Sequence, residues 1–268
     1  MIVTLDGPAG TGKSTVAREV AHALGFDFLD TGAMYRAIGL EAVRRGIILR
    51  RDDADAHQAA GEEIPDPSPA EIAHLARHCR LEFNWELDPP ALLLNGENVS
   101  HLLRSDDATR AASFVAVVKA VRDQLVDQQR EIGAEHSGRG MVTEGRDQGT
   151  VVFPEAEFKF FLTADVGERA RRRVAQLRER GDAVDESRIL REMKERDRRD
   201  TTRKVAPLEP AGDAEILDTT AMSQEQVISY IADRVRSGIR PRQREQAERE
   251  QVERDLAKDA AKQEEATL

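Results

Sequence analysis

The sequence predicts a three-layer α/β fold with a five-stranded parallel sheet, because short β-rich runs alternate with longer helical patterns along the chain. The runs predicted as strands are Ile2–Asp6, Phe26–Leu29, Met141–Glu144, Phe158–Thr163 and Ala214–Asp218. The segments with the apolar spacing of amphipathic helices are Lys13–Leu24, Gly32–Arg45, Ala116–Ile132, Val166–Arg180, Glu186–Thr202 and Gln224–Arg236. A glycine-rich loop between the first strand and the first helix supports the same fold class.

One stretch, residues 79–105, breaks the alternation. Arg80–Leu87 and Ala91–Leu94 are predicted as strands, and Asn95-Gly96 between apolar runs is a strong hairpin-turn signal. We therefore predict a small antiparallel insert. Before it, residues 52–77 carry three prolines between two short helical patterns, which indicates a connecting lobe rather than part of the central layer.

Composition restricts the class of partner. The chain has 268 residues, 40% of them hydrophobic, which suffices for one core domain with a small insert. A formal net charge of −10 opposes bulk attraction to nucleic acid or to a membrane surface. The sequence shows neither a secretory signal pattern nor a window approaching ~18 uninterrupted apolar residues. We expect a cytoplasmic protein without a nucleic-acid or membrane partner.

Metal-binding side chains are sparse in the sequence. Cys79 is the only cysteine, which excludes an internal disulfide and a zinc–thiolate cluster, and burial is its simpler interpretation. The six histidines show no tight ligand spacing beyond His74 and His78, four residues apart. A protein-bound zinc site is therefore not expected.

The glycine-rich loop fits the phosphate-binding pattern G-x-x-x-x-G-K-[ST] in its required context, after a strand and before a helix. Its glycines let backbone N–H groups turn toward phosphate oxygens, and the helix N-terminus adds its positive end. Lys13 is predicted to bridge the terminal phosphates of ATP, and the Ser14 hydroxyl to hold the Mg²⁺ that accompanies ATP. The predicted ATP-binding residues are Gly7, Pro8, Ala9, Gly10, Thr11, Gly12, Lys13, Ser14 and Thr15.

A phosphate-binding loop occurs in kinases, GTP switches, ATPase motors and transporters, so the rest of the chain must decide between them. GTP switches carry the patterns D-x-x-G and [NT]-K-x-D, and neither occurs in this sequence. A phosphotransferase acting on a nucleotide needs a second polyanion site, for which arginine is well suited. Candidate clusters follow the second and third predicted strands, at residues 30–36 and 144–147, where ligands bind in open α/β sheets.

A third cluster, residues 194–203, lies on a predicted helix. It has a simpler interpretation as a salt-bridged face exposed to solvent. Arg196, Asp200 and Arg203 nevertheless share one helical stripe, with an acid between two bases. A mobile cover that brings arginines onto transferring phosphates and excludes water has this pattern.

Four motifs resemble those of the bacterial cytidylate kinases, in the same order and context. They are LDGPAGTGKST, FLDTGAMYRA, EGRDQGTVVFP and KERDRRDTTRKVAPL. The resemblance covers residues 1–236 and implies a P-loop nucleoside-monophosphate kinase domain there. Within it we expect a lobe for the acceptor nucleotide at residues 31–115, which includes the insert, and a lid at residues 190–206. Residues 237–268 form a mixed-charge tail that the family commonly lacks, and we expect it to be helical and exposed.

The resemblance also implies roles for individual residues toward cytidine monophosphate (CMP). The implied cytosine readers are Ser113, Arg122 and Asp147, of which Ser113 and Arg122 rest on a shorter motif. The implied ligands of the acceptor phosphate are Arg36, Arg146 and Arg203, the pair facing the ribose is Arg196 and Asp200, and Thr31, Tyr35 and Gly145 belong to the same pocket. The predicted catalytic residues are Lys13, Arg146 and Arg196.

The reaction that the resemblance implies is ATP + CMP → ADP + CDP, with dCMP also accepted, in a monomer. The family pattern is not followed everywhere: Glu144 stands where Asp is common, and residues 133–140 form a slightly longer loop, although we expect neither to touch a site contact. One alternative is another small-molecule P-loop kinase, acting on UMP or a hydroxylated acid. The other is a non-catalytic nucleotide sensor whose tail recruits a partner, which the intact Lys13–Ser14 pair disfavours.

Overall fold

The computed structural model describes residues 1–60, 62, 66–136, 138–179, 181 and 184–239. Its strands are β1 (Ile2–Asp6), β2 (Asp27–Asp30), β3 (Leu81–Asn84), β4 (Ala91–Leu94), β5 (Glu97–Asn98), β6 (Met141–Gly145), β7 (Phe158–Thr163) and β8 (Glu215–Asp218). Its helices are α1 (Lys13–Leu24), α2 (Thr31–Arg44), α3 (Arg51–Ala60), α4 (Pro69–Arg77), α5 (Asp106–Val115), α6 (Lys119–His136), α7 (Val166–Glu179), α8 (Glu186–Thr202) and α9 (224–239). A short π-helix, Gln148–Val152, follows β6.

The main sheet has five strands in the order β2-β6-β1-β7-β8, and every neighbouring pair is parallel. This confirms the predicted fold class. The central strand β1 is apolar and almost fully buried because α1 and α9 pack over it, with Val3, Leu5, Val16, Val20 and Ile231 in one cluster. All five carboxyl ends therefore open at one edge, and the loop after β1 lies in its middle.

The predicted antiparallel insert is confirmed as a three-stranded sheet, β3-β4-β5. Asn95 and Gly96, with φ angles of 52° and 85°, form the two-residue turn between β4 and β5. Positive φ at both positions is what such a hairpin requires. The first strand is shorter than predicted, since the chain turns after Asn84.

Helix α5 was not predicted, and the helix expected to begin at Ala116 begins instead at Lys119. Ser105 caps α5 by accepting the N–H of Ala108 at 3.3 Å, a signal that the sequence analysis missed. Helices α2 and α5 approach so closely at Gly39 that a Cβ there would lie 2.9 Å from a backbone nitrogen of α5. This contact joins two helices that carry site residues.

The end of the described chain packs on the core. Ile239, the last described residue of α9, contacts the apolar cluster around β1, and a Cβ on Gly238 would lie 2.5 Å from the ring of Phe158. Helix α9 therefore extends beyond Arg236, where the sequence analysis ended it. The remainder of the predicted tail, 240–268, lies outside the described residues. Within the described part of the chain, the helices are all too short or too polar to span a membrane.

Candidate active site

The glycine-rich loop between β1 and α1 is held by its own backbone. Gly7 has a φ of 143°, and a Cβ there would lie 2.0 Å from the carbonyl oxygen of Leu162 on β7, so only glycine fits. Gly12 caps α1 with a φ of 86°. The buried Lys13 side chain turns back, and its Nζ donates to the carbonyl oxygen of Pro8 at 2.7 Å. The loop is therefore preformed at the positive end of α1.

A carboxylate stands beside the loop at the end of the neighbouring strand β6. Ser14 donates its hydroxyl hydrogen to Oε1 of Glu144 at 2.7 Å, so the expectation that Glu144 touches no site contact is wrong. Burial, together with the charge of Asp30, raises the pKa of Glu144 to about 7. Burial, together with the charge of Arg146, lowers the pKa of Lys13 to about 7. A hydroxyl and a carboxylate side by side are oxygen ligands of the kind that Mg²⁺ uses together with phosphate.

The start of α2 is tied to the end of β6. The Thr31 hydroxyl donates to the backbone carbonyl oxygen of Glu144 at 2.7 Å. Asp30 caps α2 by accepting the N–H of Ala33 at 2.9 Å, and its other oxygen lies 2.7 Å from Nη2 of Arg36. These bonds hold Arg36 at the edge of the sheet, near the loop.

A buried ion pair lies where the cytosine readers were predicted. Arg122 of α6 and Asp147, just after β6, pair directly, and their side chains are only 3% and 6% exposed. The Arg122 guanidinium also lies 5.7 Å from the ring centroid of Tyr35, whose pKa is raised to about 12 by burial, so that the phenol stays protonated. A side chain at position 145 would crowd the pocket, since a Cβ added to Gly145 would lie 2.8 Å from the side chain of Gln148 in the π-helix.

Helix α8 covers this pocket with charged side chains. Arg146 Nε donates to Oδ2 of Asp200 at 2.9 Å. Burial opposes ionisation of Asp200, but the charges of Arg146 and Arg196 outweigh it and hold the pKa of that carboxyl below its usual range. Burial and the nearby Arg146 charge lower the pKa of Arg196 to about 10. The guanidinium of Arg196 is thus crowded against like charge.

Five arginines carry buried N–H groups without a hydrogen-bond partner among the described residues, namely Nε of Arg36, Arg110, Arg196 and Arg199 and Nη2 of Arg203. Three of these, Arg36, Arg196 and Arg203, are residues that were predicted to bind the acceptor nucleotide. Leaving a buried donor unpaired costs about 1–3 kcal/mol, and more for a charged group. Interactions with Asp147 and Asp200 place Arg203 in the same pocket. The arrangement is suited to a ligand that brings several anionic oxygens at once.

Comparison with known proteins agrees with this geometry. The family model described as cytidylate kinase matches residues 3–237. The chain belongs to the cytidylate kinase family. A cytidylate kinase of Pelotomaculum thermopropionicum is 45% identical over 89% of this chain and 97% of that protein, and one of Vibrio cholerae is 42% identical over the same shares. A bifunctional pantoate ligase/cytidylate kinase of a Synechococcus strain is 44% identical over 86% of this chain and 39% of that protein.

In this member of the cytidylate kinase family, one arginine that sequence reasoning missed connects the loop to α8. Arg169 of α7 donates to the carbonyl oxygens of Ala9 at 2.9 Å and of Ala164 at 3.0 Å. Its Nη2 lies 2.7 Å from Oδ2 of Asp197 on α8, and the side chain is 6% exposed. Nothing in the spacing of this arginine-rich helix distinguishes Arg169 from its neighbours.

Ser113 reaches the site from α5. Its hydroxyl oxygen accepts from Nη1 of Arg199 at 3.0 Å, and the same guanidinium lies 5.5 Å from the ring centroid of Phe114. Arg122 donates to the carbonyl oxygen of Ala116 at 3.4 Å, which ties the end of α5 to the buried ion pair. Arg199 was not among the predicted site residues, because the stripe chosen on α8 passed beside it.

The structure thus brings the predicted residues to one edge of the sheet, although their roles stay predictions. Electrostatic interactions connect the members of the pocket, namely Lys13, Tyr35, Arg36, Arg122, Arg146, Asp147, Arg196, Asp200 and Arg203. Thr15 differs from them, since it is exposed on the first turn of α1.

Proposed function

We propose that this protein transfers the γ-phosphoryl group of ATP to CMP, with dCMP as a second acceptor. The observation that carries the proposal is that a preformed phosphate loop faces buried arginine donors without partners, beside the buried Arg122–Asp147 pair. The first feature suits a nucleoside triphosphate, and the second suits the phosphate of an acceptor. The family of the chain supports cytosine as the acceptor base.

On the donor side, the loop N–H groups and Lys13 bind the phosphates of ATP. Lys13 exchanges the Pro8 carbonyl oxygen for phosphate oxygens, whose negative charge opposes the effect of burial and keeps the ammonium protonated. Ser14 and Glu144 are the residues that would hold Mg²⁺, which neutralises phosphate charge when it is bound. Arg169 holds the loop backbone at Ala9.

On the acceptor side, Arg36, Arg146 and Arg203 bind the CMP phosphate, and Arg196 and Asp200 face the ribose, with Thr31, Tyr35 and Gly145 completing the pocket. Arg36 and Arg146 have more N–H donors than their carboxylate partners use, and Arg196 and Arg203 keep buried donors without partners, so ligand oxygens add to the existing bonds. Asp147 accepts from the cytosine N4 amino group, and Arg122 donates to N3 or O2. Ser113 supplies a further acceptor for the base.

Catalysis then consists of positioning and charge neutralisation. The attacking oxygen of the CMP phosphate is already anionic near neutral pH, so no side chain has to act as a strong base. Lys13, Arg146 and Arg196 surround the transferring group with positive charge in a site from which α8 excludes water. No covalent intermediate is required.

The test is an acceptor panel with the full chain, ATP and Mg²⁺, in which release of ADP is followed with CMP, dCMP, UMP, AMP and shikimate. CMP and dCMP are expected to give the highest kcat/KM. A preference for UMP or shikimate would favour the other small-molecule kinase. Nucleotide binding without turnover of any acceptor would favour the non-catalytic sensor.

We further propose that the enzyme acts as a cytoplasmic monomer without nucleic-acid or membrane partners. The net charge of −10 opposes attraction to polyanion surfaces. Analytical ultracentrifugation at micromolar concentration tests the monomer directly. A concentration-dependent dimer with higher specific activity would contradict it.

A further inference from the structure

The hydroxyl oxygen of Ser113 joins two parts of the molecule. It lies 2.7 Å from the carbonyl oxygen of Arg110 in its own helix, and since a carbonyl can only accept, Ser113 donates its single hydroxyl hydrogen there. On another side it accepts from Nη1 of Arg199, which lies on α8. Under the proposed function its remaining lone pair accepts from the cytosine amino group. One oxygen atom would then be bound by both the acceptor base and the covering helix.

Helix α8 carries Arg199 next to residues that are assigned to the substrate. Arg199 directly precedes Asp200 and lies one turn from Arg196 and from Arg203, which are the residues assigned to the ribose and phosphate. Arg199 is further held against α5 by the ring of Phe114. Its contact with Ser113 therefore helps to place Arg196 and Asp200 on α8 and Arg203 at its C-cap.

The geometry points to Arg199 as a positioning residue that couples recognition of the cytosine base at Ser113 to placement of Arg196 and Asp200 at the ribose and of Arg203 at the acceptor phosphate. Because cytosine donates to the Ser113 oxygen, it completes the hydrogen bonds of that hydroxyl without breaking one. Uracil presents a carbonyl oxygen at position 4. That oxygen either faces a lone pair of Ser113 or draws away the hydroxyl hydrogen that Ser113 donates to the Arg110 carbonyl oxygen. The coupling thus operates for CMP and not for UMP. This inference rests on the proposed function.

The same helix offers a matched control. Arg188, near the start of α8, also reaches the acceptor lobe, where its Nη2 lies 2.7 Å from Oδ2 of Asp55 on α3. The side chains of Arg188 and Arg199 are similarly exposed, at 40% and 32%. Arg188 contacts no residue assigned to the substrate, and a surface ion pair of this kind contributes little.

The experiment measures kcat and KM for CMP and UMP in Arg199→Met, Arg188→Met, Ser113→Ala and the Arg199→Met/Ser113→Ala double variant. Met keeps the aliphatic stem on Phe114 but removes the donor. We expect Arg199→Met to lower kcat for CMP about 10-fold, and kcat for UMP less than 2-fold, because misplaced catalytic groups slow the chemical step. Arg188→Met should change both by less than 2-fold, and Arg199→Lys, which restores a donor, should recover part of the loss.

The double variant decides whether the two residues act together. If Arg199 acts through Ser113, the double variant will show no larger loss of kcat for CMP than the more affected single variant. Multiplying losses, or equal losses for CMP and UMP, would overturn the coupling and assign Arg199 a structural role. Thermal melting of each variant shows whether it folds. If Arg199→Met is destabilised, the kcat of Arg199→Lys for CMP and UMP is compared with that of the wild type instead. Wild-type turnover of CMP reports separately on the proposed function itself.

Discussion

The phosphate loop and the group of arginines at residues 36, 122 and 146 lie at the same edge of the sheet. The loop is shaped by backbone conformation, whereas the arginines are held by side-chain contacts. The loop takes its shape from backbone, since Gly7 and Gly12 occupy conformations that suit glycine and Lys13 bonds within the loop. The arginine group is built from side chains of distant segments, paired with the carboxylates of Asp30, Asp147 and Asp200. The donor site is thus ready before ATP arrives, whereas the acceptor site must adjust its ion pairs when CMP binds.

This difference predicts that a single substitution in the phosphate loop lowers activity more than a single substitution in the acceptor pocket. We expect Lys13→Ala to lower kcat by roughly 10²-fold or more, because it removes a preorganised charge from the transferring phosphate. The melting temperature should stay close to that of the wild type, since a buried ammonium contributes little to stability. The exposed Lys119→Ala on α6 is the control. Near wild-type turnover of Lys13→Ala would mean that the loop is not catalytic.

On the acceptor side, the largest expected effect is on base selectivity. With UMP, the Asp147 carboxylate would lie opposite the carbonyl oxygen at position 4 of uracil, and both groups only accept hydrogen bonds. We therefore expect the wild type to prefer CMP by roughly 10²-fold in kcat/KM. Asp147→Asn offers a donor to that carbonyl and should narrow the ratio by about 10-fold. The exposed Asp123→Asn on α6 should leave the ratio unchanged. An unchanged ratio in Asp147→Asn would show that Asp147 does not read the base.

The two regions are connected by Arg169, and its removal tests how far they depend on each other. Arg169→Met leaves Asp197 and the Ala9 carbonyl oxygen unpaired, so we expect kcat to fall by about 10-fold and KM for ATP to rise. Stability should fall by about 1–3 kcal/mol. Arg171→Met, on the exposed face of the same helix, is the matched control. If KM for CMP rose while KM for ATP stayed constant, Arg169 would belong to the acceptor side alone.

The smallest expected effect is a change in the pH dependence of stability. Glu144 holds its proton to about pH 7 in the folded chain, against 4.5 as its ordinary value, so the stability it contributes is lost as pH rises through that interval. The Glu144→Gln variant has no carboxyl group at this position, so its stability does not fall for this reason as the pH rises. Its free energy of unfolding relative to wild type should therefore be higher at pH 7.5 than at pH 5, by on the order of 1 kcal/mol.

Urea denaturation at both pH values provides the measurement. The exposed Glu209→Gln serves as the control, since it alters the net charge by the same amount. A relative stability of Glu144→Gln that does not differ between the two pH values would show that burial and the charge of Asp30 do not raise the pKa of Glu144.

The success of the sequence-based predictions also differs between features set by the backbone and features set by side chains. The strands and the phosphate loop were predicted correctly because their signals are local: apolar runs, glycines at fixed offsets, and a lysine at the start of a helix. The hairpin at Asn95-Gly96 was correct for the same reason. Motif resemblance selected residues that the structure places at the same edge of the sheet, such as Thr31–Arg36, and their role in an acceptor pocket stays a prediction.

What was missed depends on contacts between distant segments. Ser14 meets Glu144 across 130 positions, and Arg169 meets Ala9 across 160. In the arginine-rich helices, only packing decides which guanidinium points inward, so Arg169 and Arg199 could not be chosen from spacing. Helix α5 was missed because its apolar residues are mostly small, although its serine cap and acidic first turn are helix-start signals.

The most direct test of the account is to identify the product of the complete reaction by ³¹P NMR, with the full chain, ATP, Mg²⁺ and CMP in one tube. ADP release alone does not separate transfer to CMP from transfer to water, whereas the phosphorus spectrum does. The account predicts that CDP and ADP accumulate in equal amounts, and that both are absent over the same period with Lys13→Ala. Accumulation of ADP with inorganic phosphate, while the CMP signal stays constant, would contradict it.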